Sequence, residues 1–461
     1  MPHDPDDLVP RAEVLDVAIV GAGAAGMLTA IHLRRADPDI RLCLVDPRAR
    51  SGEGAAYSTQ DPGHLLNVPA AGMSAFADDP DHFVRYLSAR EPDAAPDELA
   101  TRFMPRMAYA DYLRDTLATW SGPPHHLRTE VVDIAGDGPY QLVLASGGTV
   151  DARSVVIAPG NVPRGLPVDL GEGCAVARSW DYGAVSAVHA DDDVCIVGSG
   201  LSMADAVVSL AGRGHRGRIR VLSRHGLLPL AHATSRAAAE PVDGLVGLGL
   251  RGRMRALRAS AAADVARGRP WQWTMDRLRP HCGRLWSSLD AADQRRFLRH
   301  VQRYWDVHRH RIAPAVYHQL ESALEGGQLD VRAGRLLSIS SRAGPGQAGG
   351  VEIAFRPRGR ERVETLQADH VFACAGIETR LSHMPGPLLP ALSRRSRVVA
   401  GAHGLGMATD GDGALLDAQG SVQPHLLTLG SPRIGQLWET TAIPELRVQA
   451  ATIARRITAA S

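Results

Sequence analysis

Three glycines near the N-terminus have the spacing of a turn that binds a dinucleotide. Gly21, Gly23 and Gly26 lie in DVAIVGAGAAGMLTA (16–30), after an apolar run and before a helical one. The first glycine permits a tight turn, the second lets backbone approach a pyrophosphate, and the third lets the helix pack closely on the strand. The helix N-terminus adds partial positive charge. Asp46, 20 residues after Gly26, is placed to accept hydrogen bonds from ribose hydroxyls.

A second turn of this kind lies in the middle of the chain. Gly198 and Gly200 keep the turn and the phosphate approach in DVCIVGSGLSMADAV (193–207), but Met203 takes the place of the third glycine. We therefore expect the helix and strand to stand slightly further apart here. Asp205 is expected to cap or line the start of the helix.

The residues around each turn complete two predicted sites. The backbone of Ala24 and Ala25 belongs to the first, and Leu201 and Ser202 belong to the second, with Ser202 also a candidate cap.

The second site lacks the ribose-binding acid. Counting 20 residues from Met203 leads to Ser223, which Arg224 follows. A carboxylate would repel a 2′-phosphate, whereas serine and arginine can bind one. The pattern favours NADPH over NADH at the second site, with a solvated surface arginine as the alternative for Arg224. An acid in one site and none in the other predicts FAD first and NADPH second, so that a hydride can pass between them.

The elements that must position these residues are two strand–helix–strand units. Apolar runs predict strands at 14–20, 40–46 and 194–197 and a first helix over 24–35. We expect the α/β fold class, with two Rossmann-like dinucleotide-binding domains and a helical insertion. The predicted limits are an FAD-binding domain of 1–187 and 370–461, an NAD(P)H-binding domain of 188–230 and 325–369, and an insertion of 231–324.

Within the insertion, Phe297, Val301, Tyr304 and Trp305 have helical spacing, which indicates that the insertion is helical. The tryptophans of this segment are expected in a core, with a lid over the active site as the alternative. The start of the chain, MPHDPDD, has a disordered composition.

Five stretches give the chain a resemblance to a known family. GEGAAYST, HLLNVPAAGMSAF, DDPDHFVRYL, GSGLSMAD and LWETTAIPELRVQA resemble the FAD/NAD(P)-binding family that includes bacterial FAD-dependent urate hydroxylase and L-aspartate N-monooxygenase. The resemblance implies that Tyr57 and Asn67, in the first two stretches, contact the cofactor. It also implies chain crossings at VVIAPGN and VFACAG, where Gly160 and Gly376 let the backbone pass close to cofactor. Related disulfide reductases carry a redox cysteine pair that this sequence lacks.

In this fold class the last helix points its N-terminus at the flavin pyrimidine ring. In ETTAIPEL we expect Thr440 or Thr441 to cap that helix, with Ala442 beside the flavin and Pro444 in an early helical position. The amides of its first turn would then face the flavin edge where reduced flavin is negative.

Trp438 and Glu439 come just before this turn. They could border the substrate, with core packing for Trp438 and a solvated charge for Glu439 as the alternatives.

The implied function is an FAD-dependent, NAD(P)H-consuming monooxygenase of a small polar metabolite, either a urate-like heterocycle or an amino-acid nitrogen. The expected route is reduction of FAD by NADPH, addition of O₂ as a flavin C4a-hydroperoxide, and transfer of its distal oxygen. One alternative is an NAD(P)H-dependent flavin oxidoreductase without oxygen insertion. The other is a non-catalytic redox partner. No side chain is assigned as catalytic.

Composition limits the other function classes. A net charge of +1 predicts no attraction to nucleic acid or anionic membrane. The 51 basic residues are all arginine, so a lysine Schiff base is excluded. A cytoplasmic enzyme is expected, since the apolar N-terminal stretch contains a glycine turn and follows acidic residues.

No cysteine or histidine pattern predicts a metal site. The five cysteines show no paired spacing, and Cys43, Cys195 and Cys374 are expected in the core. His308 and His310 are two residues apart and do not share a helical face. Three further arginines are weighed as anchors for an anionic substrate against ordinary structural roles: Arg102, Arg106 and Arg433.

Overall fold

A computed structural model describes residues 14–120, 124–235, 237–342 and 349–459. The predicted disordered start, MPHDPDD, lies outside these residues. Two separate β-sheets carry the described chain, and each has a parallel centre. The strands are β1 (Leu15–Val20), β2 (Leu42–Val45), β3 (His125–Leu127), β4 (Val131–Ala135), β5 (Tyr140–Leu144), β6 (Thr149–Ile157), β7 (Ala177–Arg178), β8 (Val194–Val197), β9 (Ile219–Ser223), β10 (Leu329–Ser341), β11 (Val351–Pro357), β12 (Glu364–Ala368), β13 (His370–Ala373), β14 (Ala414–Leu416) and β15 (Val422–Thr428).

The helices fall around and between the sheets. They are α1 (Ala24–Ala36), α2 (His82–Ser88), α3 (Pro96–Thr101), α4 (Arg106–Ala118), α5 (Tyr182–Ser186), α6 (Leu201–Gly212), α7 (Asp243–Val246), α8 (Leu250–Ala266), α9 (Gln272–Leu278), α10 (Cys282–Ser287), α11 (Ala291–His300), α12 (Gln302–Arg309), α13 (Pro314–Glu325), α14 (Leu388–Arg394), α15 (Ile434–Leu437) and α16 (Ile443–Ala459). None of those described is long and apolar enough to cross a membrane.

The first sheet has the strand order β14-β15-β6-β1-β2-β3, with β4 and β5 attached through β6. Strands β15, β6, β1, β2 and β3 run parallel. Because successive side chains of a strand point to opposite faces, Val17 and Ile19 pack on one face and Ala18 on the other. Helices α1 and α16 cover the first of these faces. The predicted strand–helix–strand unit is confirmed.

The last helix buries the face that its sequence predicts. Leu446, Ala450, Ile453 and Ile457 all lie in the core that α16 shares with α1. This packing fixes the direction of α16, so the start of the helix is held at one end of the first sheet.

The second sheet has the order β12-β11-β10-β9-β8-β13-β7. Strands β10, β9, β8, β13 and β7 run parallel, and α6 follows β8 as predicted. Strands β7 and β13 belong to this sheet, although the predicted domain limits placed both of them in the FAD-binding domain. The second sheet therefore begins before residue 188 and extends past residue 369. The division into domains otherwise remains a prediction.

The insertion is helical, as its sequence predicts. Phe297 lies in α11 and Trp305 in α12, and Val301 between them keeps right-handed helical angles, with φ at −111°. Hydrogen bonds from Val301 to Phe297 and from Trp305 to Val301 connect the two helices. Phe297, Val301 and Trp305 pack in one apolar cluster, whereas Tyr304 is exposed.

Candidate functional site

The first glycine turn requires glycine at two of its predicted positions. Gly21 has a φ of +104°, and a Cβ there would lie 2.1 Å from the carbonyl oxygen of Ala158, just past β6. A Cβ on Gly26 would lie 1.9 Å from the oxygen of Gly21. Both positions therefore exclude any side chain, which brings α1 close to the strand as the motif predicts.

The N-terminus of α1 is open to an anion. Gly23 stands at the cap position without a side-chain cap, and the first turn, which contains Ala24 and Ala25, has no acidic residue. A Cβ on Gly23 would come within 3.2 Å of the Cα of Gly54. The free amides and the closeness of a second glycine segment leave room for a pyrophosphate rather than for side chains.

Asp46 is held at the end of β2 with its carboxylate fixed. The side chain is 5% exposed and accepts hydrogen bonds from the backbone amides of Ala22, at 2.8 Å, and Arg48, at 2.9 Å. A carboxylate has about four lone-pair sites, so two remain for ribose hydroxyls. The ribose role of Asp46 fits this geometry and stays a prediction.

Tyr57 and Asn67 lie on the segment that crosses in front of the first sheet. The Tyr57 ring packs on Tyr109 with centroids 5.2 Å apart, and burial raises the pKa of its hydroxyl to about 12. The backbone oxygen of Asn67 contacts His232 Nε2 at 2.9 Å. The half-buried amide side chain of Asn67 has no hydrogen-bond partner within the described ranges, so it is free to contact a ligand.

The two crossing glycines have open space beside them. Gly160 and Gly376 have φ values of +72° and +90°, and no atom lies within 4 Å of where a Cβ would be. The hydroxyl of Ser431 donates to the oxygen of Gly160 at 2.9 Å. The left-handed backbone requires glycine here, and the open side is where the resemblance places cofactor.

The start of α16 differs from the prediction in one respect. Neither Thr440 nor Thr441 is the cap, because the helix begins at Ile443 and Ala442 stands before it. The Thr440 hydroxyl instead donates to the oxygen of Gly430 at 2.9 Å. The amides of Ala442 and Ile443 have no acceptor among the described residues, so the anion-facing turn is present without a side-chain cap.

The second glycine turn repeats the geometry of the first at its opening residue. Gly198 has a φ of +113°, and a Cβ there would lie 2.0 Å from the oxygen of Cys374, just past β13. Gly200 is the cap residue of α6 and has open space beside it. Leu201 and Ser202 are half-buried at the start of the helix. The helix has no side-chain cap, so the capping expected of Ser202 was wrong.

Met203 is a core residue. Its side chain is fully buried and packs with Val194 and Ile196 of β8. A side chain at the matching Gly26 would clash with the oxygen of Gly21, so the wider spacing between α6 and its strand stays a prediction. Leu201 packs partly against the same core.

Positive charges without counter-ions gather at the end of β9, next to the predicted 2′-phosphate site. Arg224 is exposed and has no ion pair in the part of the chain that the structure describes. Burial, and then the charges of Arg358, Arg224 and Arg303, lower the pKa of His225. The positive charges of these arginines fit a phosphate dianion. Ser223, the residue before Arg224, accepts a hydrogen bond from the amide of Gly226 at 3.0 Å.

Arg303, a residue of the insertion, also contacts the second nucleotide turn, and the sequence analysis missed it. Its Nη2 donates to the backbone oxygens of Ser199, at 2.9 Å, and Leu227, at 3.0 Å. Burial lowers the pKa of Arg303, and the nearby charge of Arg224 adds to this shift. No motif signals Arg303, because it is 104 residues from Ser199 and only the folded chain brings them together.

The three arginines weighed as substrate anchors are all engaged elsewhere. Arg106 forms a bidentate ion pair with Asp205 at 2.8 and 2.9 Å, which also shows that the capping expected of Asp205 was wrong. Arg102 pairs with Glu98 at the surface. Buried Arg433 donates to the oxygen of Gly411 at 2.8 Å, and burial lowers its pKa to about 10. Their roles are structural.

The residues just before α16, Trp438 and Glu439, pack against the insertion. Trp438 has a φ of +61°, which is strained for a large side chain, and its ring stacks on Trp286 with centroids 5.0 Å apart. Glu439 is buried and accepts a hydrogen bond from the Trp305 indole at 2.8 Å. The tryptophans 286 and 438 are therefore core, and Glu439 is an internal charge rather than a solvated one.

Buried charges surround Glu439. His310 Nε2 lies 3.6 Å from its Oε1 and Arg309 Nη2 lies 3.4 Å from its Oε2. Burial raises the pKa of Glu439, but His310, Arg309 and the Trp305 hydrogen bond together hold it below its usual value. Glu439 is thus ionised, one residue before the predicted flavin-facing turn.

Among the described residues, the cysteines and histidines form no metal-binding centre. Burial raises the pKa of Cys43, Cys195 and Cys374 to about 12, as core thiols require. Across the described ranges no group of His, Cys, Asp and Glu side chains is arranged to hold a metal ion.

Comparison with known proteins supports the first unit and the fold. Residues 18–162 match a model of the FAD-NAD(P)-binding family. No curated protein sequence matches the chain.

Among solved structures, the ornithine N-hydroxylase of Kutzneria sp. 744, which contains reduced FAD, NADP⁺ and L-ornithine, aligns with a TM-score of 0.68 at 15% identity, covering 97% of this chain and all of that one. The L-lysine 6-monooxygenase of Pseudomonas syringae gives 0.68 at 16% identity, over 97% and 99% of the two chains. A thioredoxin reductase of Lactococcus lactis gives 0.52 at 11%, over 96% and 98%.

These likenesses establish the architecture at low sequence identity. They confirm the α/β class with two dinucleotide-binding units, and the family match agrees with the resemblance read from the motifs. The chain has the fold of the two-dinucleotide-binding-domain flavoproteins, and its residues 18–162 match the FAD-NAD(P)-binding family.

Proposed function

We propose that this chain is an FAD-dependent monooxygenase that consumes NADPH and hydroxylates a nitrogen or an electron-rich carbon of a small polar metabolite. One observation carries the proposal. On the single helix α12, Arg303 contacts the second nucleotide turn at Ser199, while Trp305, two residues on, contacts Glu439 at the start of α16. The second nucleotide site therefore lies near the residues assigned to the flavin edge.

The described residues fit both cofactors. Gly21, Gly23, Ala24, Ala25, Gly26, Asp46, Tyr57, Asn67, Gly160, Gly376, Thr440, Thr441 and Ala442 are assigned to FAD. Gly198, Gly200, Leu201, Ser202, Ser223 and Arg224 are assigned to NADPH, with NADH as the alternative. The exclusion of side chains at Gly21 and Gly198 and the unpaired amide of Ala442 are the structural observations in favour.

When bound, the flavin would supply hydride acceptance and oxygen activation. The chain's own work is to bind, orient and shield. The open amides at α16 would hold negative charge on the pyrimidine edge, and the aromatic cluster of Trp286, Phe297 and Trp438 excludes water from that end of the insertion. The ornithine and lysine enzymes of similar fold favour an amino-acid nitrogen as the group hydroxylated. Cytoplasmic localisation and the lack of a nucleic-acid partner stay predictions of the sequence.

The test is to load the protein with FAD and measure NADPH oxidation, oxygen uptake and peroxide release together. Candidate substrates are amino acids, diamines and urate. A substrate that raises oxygen uptake and yields a hydroxylated product without matching peroxide supports the proposal. Peroxide alone with every substrate indicates a flavin oxidoreductase, and no NADPH oxidation indicates a non-catalytic redox partner.

A further inference from the structure

We propose that Arg309 and Arg279 bind an anionic group of the small substrate, a carboxylate or an equivalent pair of oxygens. The proposal adds a substrate group to the function proposed above. It rests on that function only for identifying this region as the active site. It replaces Arg102, Arg106 and Arg433, whose guanidinium groups are engaged in structural contacts.

The guanidinium of Arg309 is buried and unsatisfied. The side chain is 8% exposed, and its Nε and Nη2 atoms have no hydrogen-bond partner among the described residues. Arg309 Nη2 forms ion pairs with Glu439 and Glu445, at 3.4 and 3.8 Å, but these contacts are longer than charge-assisted hydrogen bonds and leave its hydrogen-bonding capacity unused. A buried charged donor without an acceptor is costly, so the site is built for an acceptor that is supplied from outside the chain.

The charges around Arg309 leave an excess of cations. Arg279 donates from Nε and Nη2 to the two carboxylate oxygens of Glu445, at the long distances of 3.3 and 3.4 Å. Arg447 interacts with Glu445 and Arg279 and has a buried Nε without a partner. Three arginines thus share two carboxylates, Glu439 and Glu445.

The remaining ionisable groups of this cluster do not remove the excess. Asp306 faces His310, with Oδ1 4.0 Å from Nε2, and burial raises its pKa although the charges of His310 and Arg303 oppose the shift. Cys282 lies against Arg309, and burial raises its pKa to about 12, so it is a neutral thiol. Arg311 is paired with Asp276. His310 adds positive charge when protonated. One added carboxylate would therefore complete the cluster.

The cluster lies beside the turn assigned to the flavin edge, where a substrate subsite is expected. Glu439 is one residue before Thr440, at the turn assigned to the flavin edge. Arg447 Nη1 donates to the oxygen of Ser74 at 3.0 Å, on the segment that follows Asn67. Arg279 and Arg309, from the insertion, lie against Glu439 and Glu445 at the start of α16, and two nitrogens of a guanidinium can bind a carboxylate in bidentate geometry.

The experiment measures equilibrium binding to the oxidised FAD-loaded protein through the change in flavin absorbance, so that neither reduction nor O₂ is needed. L-lysine and cadaverine are the first probes because they differ by one carboxylate, and L-aspartate is the third. We expect at least one carboxylate probe to bind, and L-lysine to bind roughly tenfold or more tightly than cadaverine, as the loss of one charge-assisted interaction requires. Tighter binding of cadaverine, or binding by none of the carboxylates at millimolar concentration, would overturn the proposal.

Variants then test the residue itself. Arg309→Gln should weaken carboxylate binding by roughly 10- to 100-fold, and Arg309→Lys by less, while the half-buried control Arg102→Gln, which pairs with Glu91 and Glu98, leaves it unchanged. Unchanged affinity in Arg309→Gln means that the unpaired nitrogens bind only water, and the proposal fails. If Arg309→Gln does not retain FAD, Arg309→Lys and the wild-type lysine–cadaverine comparison decide. Carboxylate binding without oxygen insertion would contradict the proposed monooxygenase function and leave this inference standing.

Discussion

Gly21 and Gly26 show how single residues set the first nucleotide site. A Cβ on Gly26 would approach the Gly21 oxygen to 1.9 Å, so Gly26→Ala must push α1 from its strand. We expect a loss of about 1–3 kcal/mol in the free energy of unfolding together with lost FAD retention, measured by denaturant titration and flavin content. Gly212→Ala, with open space at the end of α6, is the control and should bind FAD normally. Full FAD content in Gly26→Ala would contradict the assignment.

Arg224 determines the choice of reductant in this account. Arg224→Leu removes a guanidinium that has no ion pair among the described residues and that is assigned to the 2′-phosphate. The KM for NADPH should rise by roughly 10- to 100-fold, while the KM for NADH, which lacks that phosphate, stays the same. Steady-state oxidation of both cofactors measures this. Arg332→Leu, at a surface ion pair with Asp330, should change neither, and an equal rise for both cofactors in Arg224→Leu would refute the assignment.

Glu439 predicts a pH dependence of stability. The folded protein holds the pKa of Glu439 below its usual 4.5, so the ionised form stabilises the fold above that pH, and the contribution is lost as pH falls through the folded pKa. In Glu439→Gln the unfolding free energy should therefore fall less steeply below pH 4.5 than in the wild type. Parallel curves from denaturant titrations over this range would show that folding does not lower the pKa of Glu439.

At the scale of elements, α4 and α6 are joined by a buried ion pair between the two nucleotide-binding units. Arg106 lies on α4 and Asp205 on α6, and both side chains are mostly buried. Removing one partner leaves an uncompensated charge, which costs about 3–5 kcal/mol. We expect this loss of unfolding free energy for Arg106→Met, against about 0–1 kcal/mol for the surface control Arg102→Met. Equal losses would mean that the pair is not buried in solution.

Sequence reasoning succeeded where the chemistry is local. The glycine turns, their strands and helices, and the apolar face of α16 all depend on residues a few positions apart. It failed where contacts are distant in sequence: Asp205 was expected to cap its helix, yet it pairs with Arg106, 99 residues away. Arg303 and Arg309 carry no motif, because only the folded chain brings their helix to Ser199 and to Glu439.

At the scale of the whole molecule, two parallel sheets each end in a glycine turn that approaches a crossing strand. Gly21 meets Ala158 in the first sheet and Gly198 meets Cys374 in the second. The insertion spans both, since α12 reaches Ser199 and Glu439. This arrangement fits electron transfer between two bound nucleotides.

The most direct test is a stopped-flow spectrum of the FAD-loaded protein, reduced with NADPH and then mixed with O₂. Oxygen insertion requires a flavin–oxygen adduct that persists until substrate reacts, so a distinct absorbance should appear before oxidised flavin returns. This absorbance should decay faster in the presence of a substrate that the enzyme hydroxylates than in its absence. Direct return of oxidised flavin, with no such phase under any substrate, would contradict the monooxygenase account.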